Sequence, residues 1–137
     1  MRLSKTSKYA LRTLSFISGK PEELFSAEYL YKNLKIPKRY LRRLLTELSK
    51  SELLISVRGK YGGFKLGKGA DEIFLADIIE SVEGLDEFNS CILGFDSCAF
   101  SSACAMHNVW ANTKQEILNI LQNTSLAQVS LSSPKQH

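Results

Sequence analysis

Apolar positions in the first third of the chain recur at helical spacing. Within residues 4–18 (SKTSKYALRTLSFIS), Ala10, Leu14 and Ile17 fall on one face, widened by Tyr9 and Leu11, and Gly19-Lys20-Pro21 ends the helix. Ser26 is a good N-cap for a second helix running through Leu34, with Ala27, Leu30 and Leu34 turned inward. Ile36 and Pro37 make a short break, and Pro suits a first helical position. A third helix, about Lys38 to Lys50, carries Leu41, Leu44, Leu45 and Leu48 at i, i+3, i+4 and i+7. The period then changes. Leu53 to Val57 and Phe64 to Leu66 read as two short strands around the glycine-rich turn Arg58-Gly59-Lys60-Tyr61-Gly62-Gly63. Three short helices followed by a hairpin predict a winged helix-turn-helix.

Beyond Lys68 the pattern is helical again. Ile73, Phe74 and Leu75 lead into a helix over Ala76–Glu83, with Ile78, Ile79 and Val82 apolar and Gly84 as its stop. The longest helix is expected from about Ser102 to Gln122. Met106, Trp110, Thr113, Ile117 and Ile120 step by four, three, four and three, the near-3.5 period of a helix that pairs with another helix. Packing on its own domain is the alternative. A chain this small has little core to cover such a helix, so the stripe predicts a dimer seam. Residues 124–137 read as a polar tail. The fold class is thus mainly α with a small β-hairpin wing, divided as a winged helix-turn-helix over 1–68, a ligand loop and dimerisation helix over 69–126, and a tail over 127–137.

Composition agrees with one globular unit: 137 residues, 44% apolar and 23% charged. There is no apolar run of about 18–20 residues, and no apolar signal core at the N-terminus, so the expectation is a cytoplasmic protein away from membranes. Charge changes the picture more. Through Lys68 there are 16 Lys/Arg against 5 Asp/Glu, a balance of +11, and from Gly69 there are 2 against 9, a balance of −7. That asymmetry is the electrostatic footprint of a nucleic-acid-binding half joined to something else. On the third helix Arg39, Arg42, Arg43 and Thr46 fall opposite the leucine stripe, with Lys38 at its N-terminal edge. They lack the interleaved acids of an ordinary solvated face, so the expected partner is double-stranded DNA, read in the major groove by this helix. The hairpin, with Arg58, Lys60, Lys65 and Tyr61, would lie along the backbone or minor groove.

The candidate chemistry sits in the acidic half. Cys91, Cys98, Cys104 and His107 are spaced Cys-x6-Cys-x5-Cys-x2-His. An odd number of cysteines in a short window makes no disulfide framework. Cys104 and His107 would lie one helical turn apart on one face. Three thiolates and an imidazole can complete a tetrahedral zinc site or hold an iron-sulfur cluster. Structural zinc usually uses tight Cys-x2–4-Cys knuckles, which are absent from the sequence, and the longer loops suit a cluster of two or more irons. Zinc and ordinary buried cysteines remain the alternatives. No phosphate loop, Ser/His/Asp set or paired-carboxylate site argues for catalysis.

The opening Met1-Arg2-Leu3-Ser4 with Tyr9-Ala10-Leu11-Arg12, the Tyr40-Leu41 step, Val57-Arg58-Gly59 with Gly62-Gly63-Phe64-Lys65-Leu66, and the closing Thr124-Ser125-Leu126 carry a resemblance. Over residues 1–126 the chain resembles the bacterial winged-helix repressors that include the iron-sulfur cluster regulator IscR, the nitric-oxide sensor NsrR and the cysteine regulator CymR. The resemblance implies a homodimeric transcription repressor on a palindromic operator, not an enzyme. It further implies that Cys91, Cys98, Cys104 and His107 fall where IscR-like members hold a 2Fe-2S cluster. Two departures qualify the match. The first ligand spacing is six residues where IscR-like members usually have five, and Arg42-Arg43 stand where those members tend to have Glu-Gln. Members with a 4Fe-4S cluster use a carboxylate from the partner's first helix, where this chain has Lys8, which favours His107 and a 2Fe-2S group. Candidate DNA contacts are Lys38, Arg39, Tyr40, Arg42, Arg43, Arg58, Lys60, Tyr61 and Lys65. The competing classes are an electron-transfer protein, to which the basic half is useless, a zinc-stabilised DNA-binding protein, and a cluster-free regulator answering a partner protein or metabolite.

Overall fold

The computed structural model describes residues 4–85 and 107–130. Helix α1 spans Lys5–Ser18 and starts where the Ser4 hydroxyl accepts a hydrogen bond from the Ser7 N–H at 3.1 Å. Helix α2, Ala27–Leu34, begins in the same way, with the Ser26 hydroxyl accepting from the Tyr29 N–H. It ends in a left-handed Lys35, whose N–H bonds the Tyr31 carbonyl. Helix α3 is Lys38–Lys50, with Pro37 as its N-cap and its buried stripe made of Leu41, Leu44, Leu45 and Leu48. The expected leucine face is therefore the observed one.

Strands β1 (Leu54–Val57) and β2 (Gly63–Leu66) pair antiparallel, with Leu54 opposite Leu66 and Val57 opposite Gly63. The turn between them needs Gly59 at φ 114°. A third partner was not expected from the sequence. Phe25, between α1 and α2, exchanges backbone hydrogen bonds of 2.9 and 2.7 Å with Phe64. This contact requires Gly63, where an added Cβ would lie 2.6 Å from the Phe25 carbonyl oxygen. Phe25 also stacks among Phe16 and Tyr29, with ring centroids 5.5 and 5.7 Å away. The base of the wing is thus tied to the helical body.

A 3-10 turn over Ala70–Glu72 leads into α4, Leu75–Val82, where the Asp77 carboxylate accepts from the Phe74 N–H. Gly84, at φ 79°, closes that helix with its N–H on the Ile79 carbonyl. Helix α5 is described over His107–Asn123, and α6 over Leu126–Ser130. The latter corrects the reading of 124–137 as a tail. Ser125 bridges Phe74, the Leu126 N–H donates to the Ile73 carbonyl at 2.7 Å, and the Leu126 side chain is fully buried. Helix α6 then lies against α1.

One large core collects Ala10, Leu14 and Ile17 from α1, Leu30 and Leu34, the α3 leucines, Leu54 and Leu66 of the wing, and Ile73, Ile78 and Leu126. A smaller core joins α4 to α5 through Ala76, Ile79 and Leu121, with Ile117, Leu118 and Leu85 packed against it.

Candidate DNA-binding surface and metal-ligand set

Because the leucine stripe of α3 is committed to the core, its opposite face must meet solvent or a partner. Lys38, Arg39, Arg42 and Arg43 are all exposed. Among the described residues, no carboxylate lies within salt-bridging distance of the three arginines; the surface pairs that do form are Lys20–Glu23, Lys38–Glu28 and Lys50–Glu47. Three exposed guanidinium groups on one helix face, none of them ion-paired among the described residues, are a strong local source of positive potential. Tyr40 differs from its neighbours. Its ring packs edge-on against Tyr9 at 5.3 Å, and its hydroxyl is hydrogen-bonded to that of Thr6. The structure therefore uses Tyr40 to fasten α3 to α1 rather than leaving it outward among the arginines.

The wing continues the positive face. Arg58 and Lys60 are exposed, Tyr61 is 83% exposed, and the Lys60 ammonium sits 5.6 Å from the Tyr61 ring centroid. Lys65 is half-buried on β2, opposite Ile55, and so belongs to the body of the hairpin more than to its tip.

Of the expected ligands, Cys91, Cys98 and Cys104 lie outside the described residues, and His107 is described only as the first residue of α5. The test of fit is therefore the chemistry of the donor set. Three thiolates with one imidazole match an iron-sulfur group or zinc. Among the described residues no other group of His, Cys, Asp and Glu could hold a metal ion.

The expected dimer seam divides in two. Met106 lies outside the described residues. Ile117 turns to the small core against Ala76, Ile79 and Leu121, and Trp110 is half-buried. Thr113 and Ile120 instead face outward, Ile120 being 62% exposed, together with Val109 at 56%, which lies outside the expected stripe. A wheel drawn for a free helix would have found it, since Val109, Thr113 and Ile120 are separated by four and seven residues and share one face. No helix among the described residues is long and apolar enough to cross a membrane.

A trihelical core with an outward cationic third helix and a tethered basic hairpin defines a winged-helix DNA-binding regulator. The chain belongs to the Rrf2 family of iron-dependent transcriptional regulators, whose sequence profile it matches over residues 3–131. It is a transcription regulator and not an enzyme. An HTH-type transcriptional regulator of Aquifex aeolicus is 32% identical over 128 residues, 92% of this chain and 89% of that one. The HTH-type transcriptional regulator NsrR of Oceanobacillus iheyensis is 31% identical over the same length, covering 92% and 87%. Among solved structures, the global cysteine regulator CymR of B. subtilis superposes with a TM-score of 0.85 at 23% identity, covering 98% of this chain and 99% of CymR. IscR of T. potens superposes at 0.75 with 22% identity, covering 100% and 94%. At those identities the structural likeness establishes the winged-helix fold.

Proposed function

We propose that the protein is a homodimeric repressor whose hold on a palindromic operator is controlled by an iron-sulfur cluster. The observation that carries the DNA-binding part is the outward face of α3, where Arg39, Arg42 and Arg43 are exposed, with no carboxylate partner among the described residues, while the inner face is locked into the core. In this reading Arg39, Arg42 and Arg43 reach base edges in the major groove, with Lys38 at the helix start. Arg58, Lys60 and Lys65, with Tyr61, hold the phosphate backbone and set the register. One winged helix touches only a few base pairs, so two copies are needed, and Val109, Thr113 and Ile120 form the face that pairs them.

Cys91, Cys98, Cys104 and His107 are the ligands in this proposal, with 2Fe-2S as the group their number and type suit. When bound, such a group supplies a redox- and iron-responsive link between the 91–104 segment and the first turn of α5. The chain's own part is mechanical. His107 begins the helix that carries both the α4 contact and the outward apolar face, so ligation at that residue bears on the α4–α5 contact and on dimer pairing at once. The family's iron dependence supports this reading.

Anaerobic isolation tests it. The protein should be coloured, with about two irons and two sulfides per chain. It should shift promoter fragments differently before and after cluster removal by a chelator. A colourless protein holding zinc, or one that binds DNA identically in both states, overturns the cluster assignment and favours the zinc-stabilised or cluster-free form of the regulator.

A further inference from the structure

Two hydrogen bonds leave adjacent residues of the first turn of α1 in different directions. Ser7, fully buried, donates from its hydroxyl to the Glu83 carboxylate. Glu83 directly follows the last residue of α4 and precedes the left-handed Gly84. Its neighbour Thr6 bonds the hydroxyl of Tyr40, which sits in the first turn of α3 between Arg39 and Leu41 and is braced by the Tyr9 ring. A short polar path therefore runs from the end of α4, through one turn of α1, to the start of the arginine-bearing helix. Glu83 stands eight residues before Cys91.

The Ser7–Glu83 contact is asymmetric. Glu83 is exposed, so water can solvate its carboxylate when the bond is broken. Ser7 is buried, and losing its acceptor leaves a hydroxyl unpaired in the interior. Breaking the contact therefore costs most at Ser7, and the placement of Glu83 at the end of α4 decides whether it forms.

We propose that Glu83, Ser7, Thr6 and Tyr40 are positioning residues that transmit the state of the 91–107 ligand segment to the pose of α3 on DNA. This rests on the cluster-controlled reading above. The path is a coupling claim, so coupling must be measured. The experiment determines operator Kd for cluster-loaded and cluster-free protein in the wild type and in Glu83→Ala, Glu83→Gln, Tyr40→Phe and the Glu83→Ala/Tyr40→Phe pair, with thermal midpoints for all. The ratio of the two Kd values should shrink roughly two- to tenfold in Glu83→Ala and in Tyr40→Phe, the reach of one hydrogen bond. Glu83→Gln should keep the wild-type ratio, because its amide oxygen still accepts from Ser7. The double variant should lose little beyond either single one, since both cut the same path. Should Glu83→Ala fail to fold, Tyr40→Phe, which removes one oxygen, gives the decision alone. Equal weakening of both forms, with the ratio unchanged, overturns the path and leaves cluster control standing. A wild type whose Kd ignores the cluster overturns both.

Discussion

Ile120→Asp separates pairing of two chains from folding of one. In the isolated chain Ile120 is 62% exposed and lies outside both cores, so an aspartate there meets water and should leave the thermal midpoint nearly unchanged. In the proposed dimer the same position is covered. Full burial of an isoleucine is worth about 1.5–3 kcal/mol, so covering the exposed part contributes about 1–2 kcal/mol per chain. The two-fold repeat makes that about 2–4 kcal/mol per dimer. Two carboxylates without partners add at least ~2 kcal/mol of desolvation, and the total is near 5 kcal/mol. That corresponds to a dimer constant weaker by roughly three to four orders of magnitude. Sedimentation velocity at micromolar concentration should show a folded monomer, and operator affinity should fall with it. Ile117→Asp is the contrasting probe. It places the charge against Ala76, Ile79 and Leu121 and should lower the midpoint of the chain itself. An Ile120→Asp protein that stays dimeric, or an Ile117→Asp protein as stable as the wild type, refutes the division of the helix into an inner and an outer face.

Arg42→Ala should cost about 1–3 kcal/mol of operator binding and relax sequence preference, whereas Lys60→Ala should weaken all sequences alike and make the salt slope shallower by about one; fluorescence anisotropy across salt concentrations distinguishes them. Alanine at Cys91, Cys98 or Cys104 should bleach the anaerobic protein, and His107→Cys should keep colour with a lower reduction potential, read by visible spectroscopy during redox titration. Leu126→Ala empties a fully buried site and should cost about 2–5 kcal/mol in urea unfolding. Gly63→Ala forces Phe25 away from β2 and should cost about 1–3 kcal/mol, with the paired amides of Phe25 and Phe64 losing protection from hydrogen exchange.

Much of this fold is legible in the sequence because its signals are local. The leucine stripe of α3, the serine caps of α1 and α2, and the glycine turn of the wing each need only a few neighbouring residues to be read. The outward arginines followed from the same stripe, since fixing one face of a helix fixes the other. What was missed is nonlocal. Phe25 forms a single bridge with no periodicity to announce it, and α6 is five residues whose buried side chain, Leu126, joins a core built from residues far upstream. Tyr40 sits among cations in the sequence, yet its partners Tyr9 and Thr6 are on another helix. In α5 the 3.5-residue period showed that a stripe is covered but not by what. The smaller core took Ile117, and the exposed face moved to Val109, Thr113 and Ile120.

The return of the chain at Ser125 and Leu126 has a consequence for modularity. The core behind the arginine helix draws on Ile73, Ile78 and Leu126, all downstream of the wing. In chain order, then, α5 and the proposed ligand segment before it are inserted into the DNA-binding body, which closes only when the polypeptide comes back to Phe74. A fragment ending at Lys68 would present an open apolar face beside Ala10, Leu14 and Ile17 in place of a free-standing module. Grafting the operator-reading part alone onto another protein should therefore fail, whereas loops exchanged within the insertion leave the closure intact. The inserted stretch can be reworked, but only between two fixed points set by the body that reads DNA.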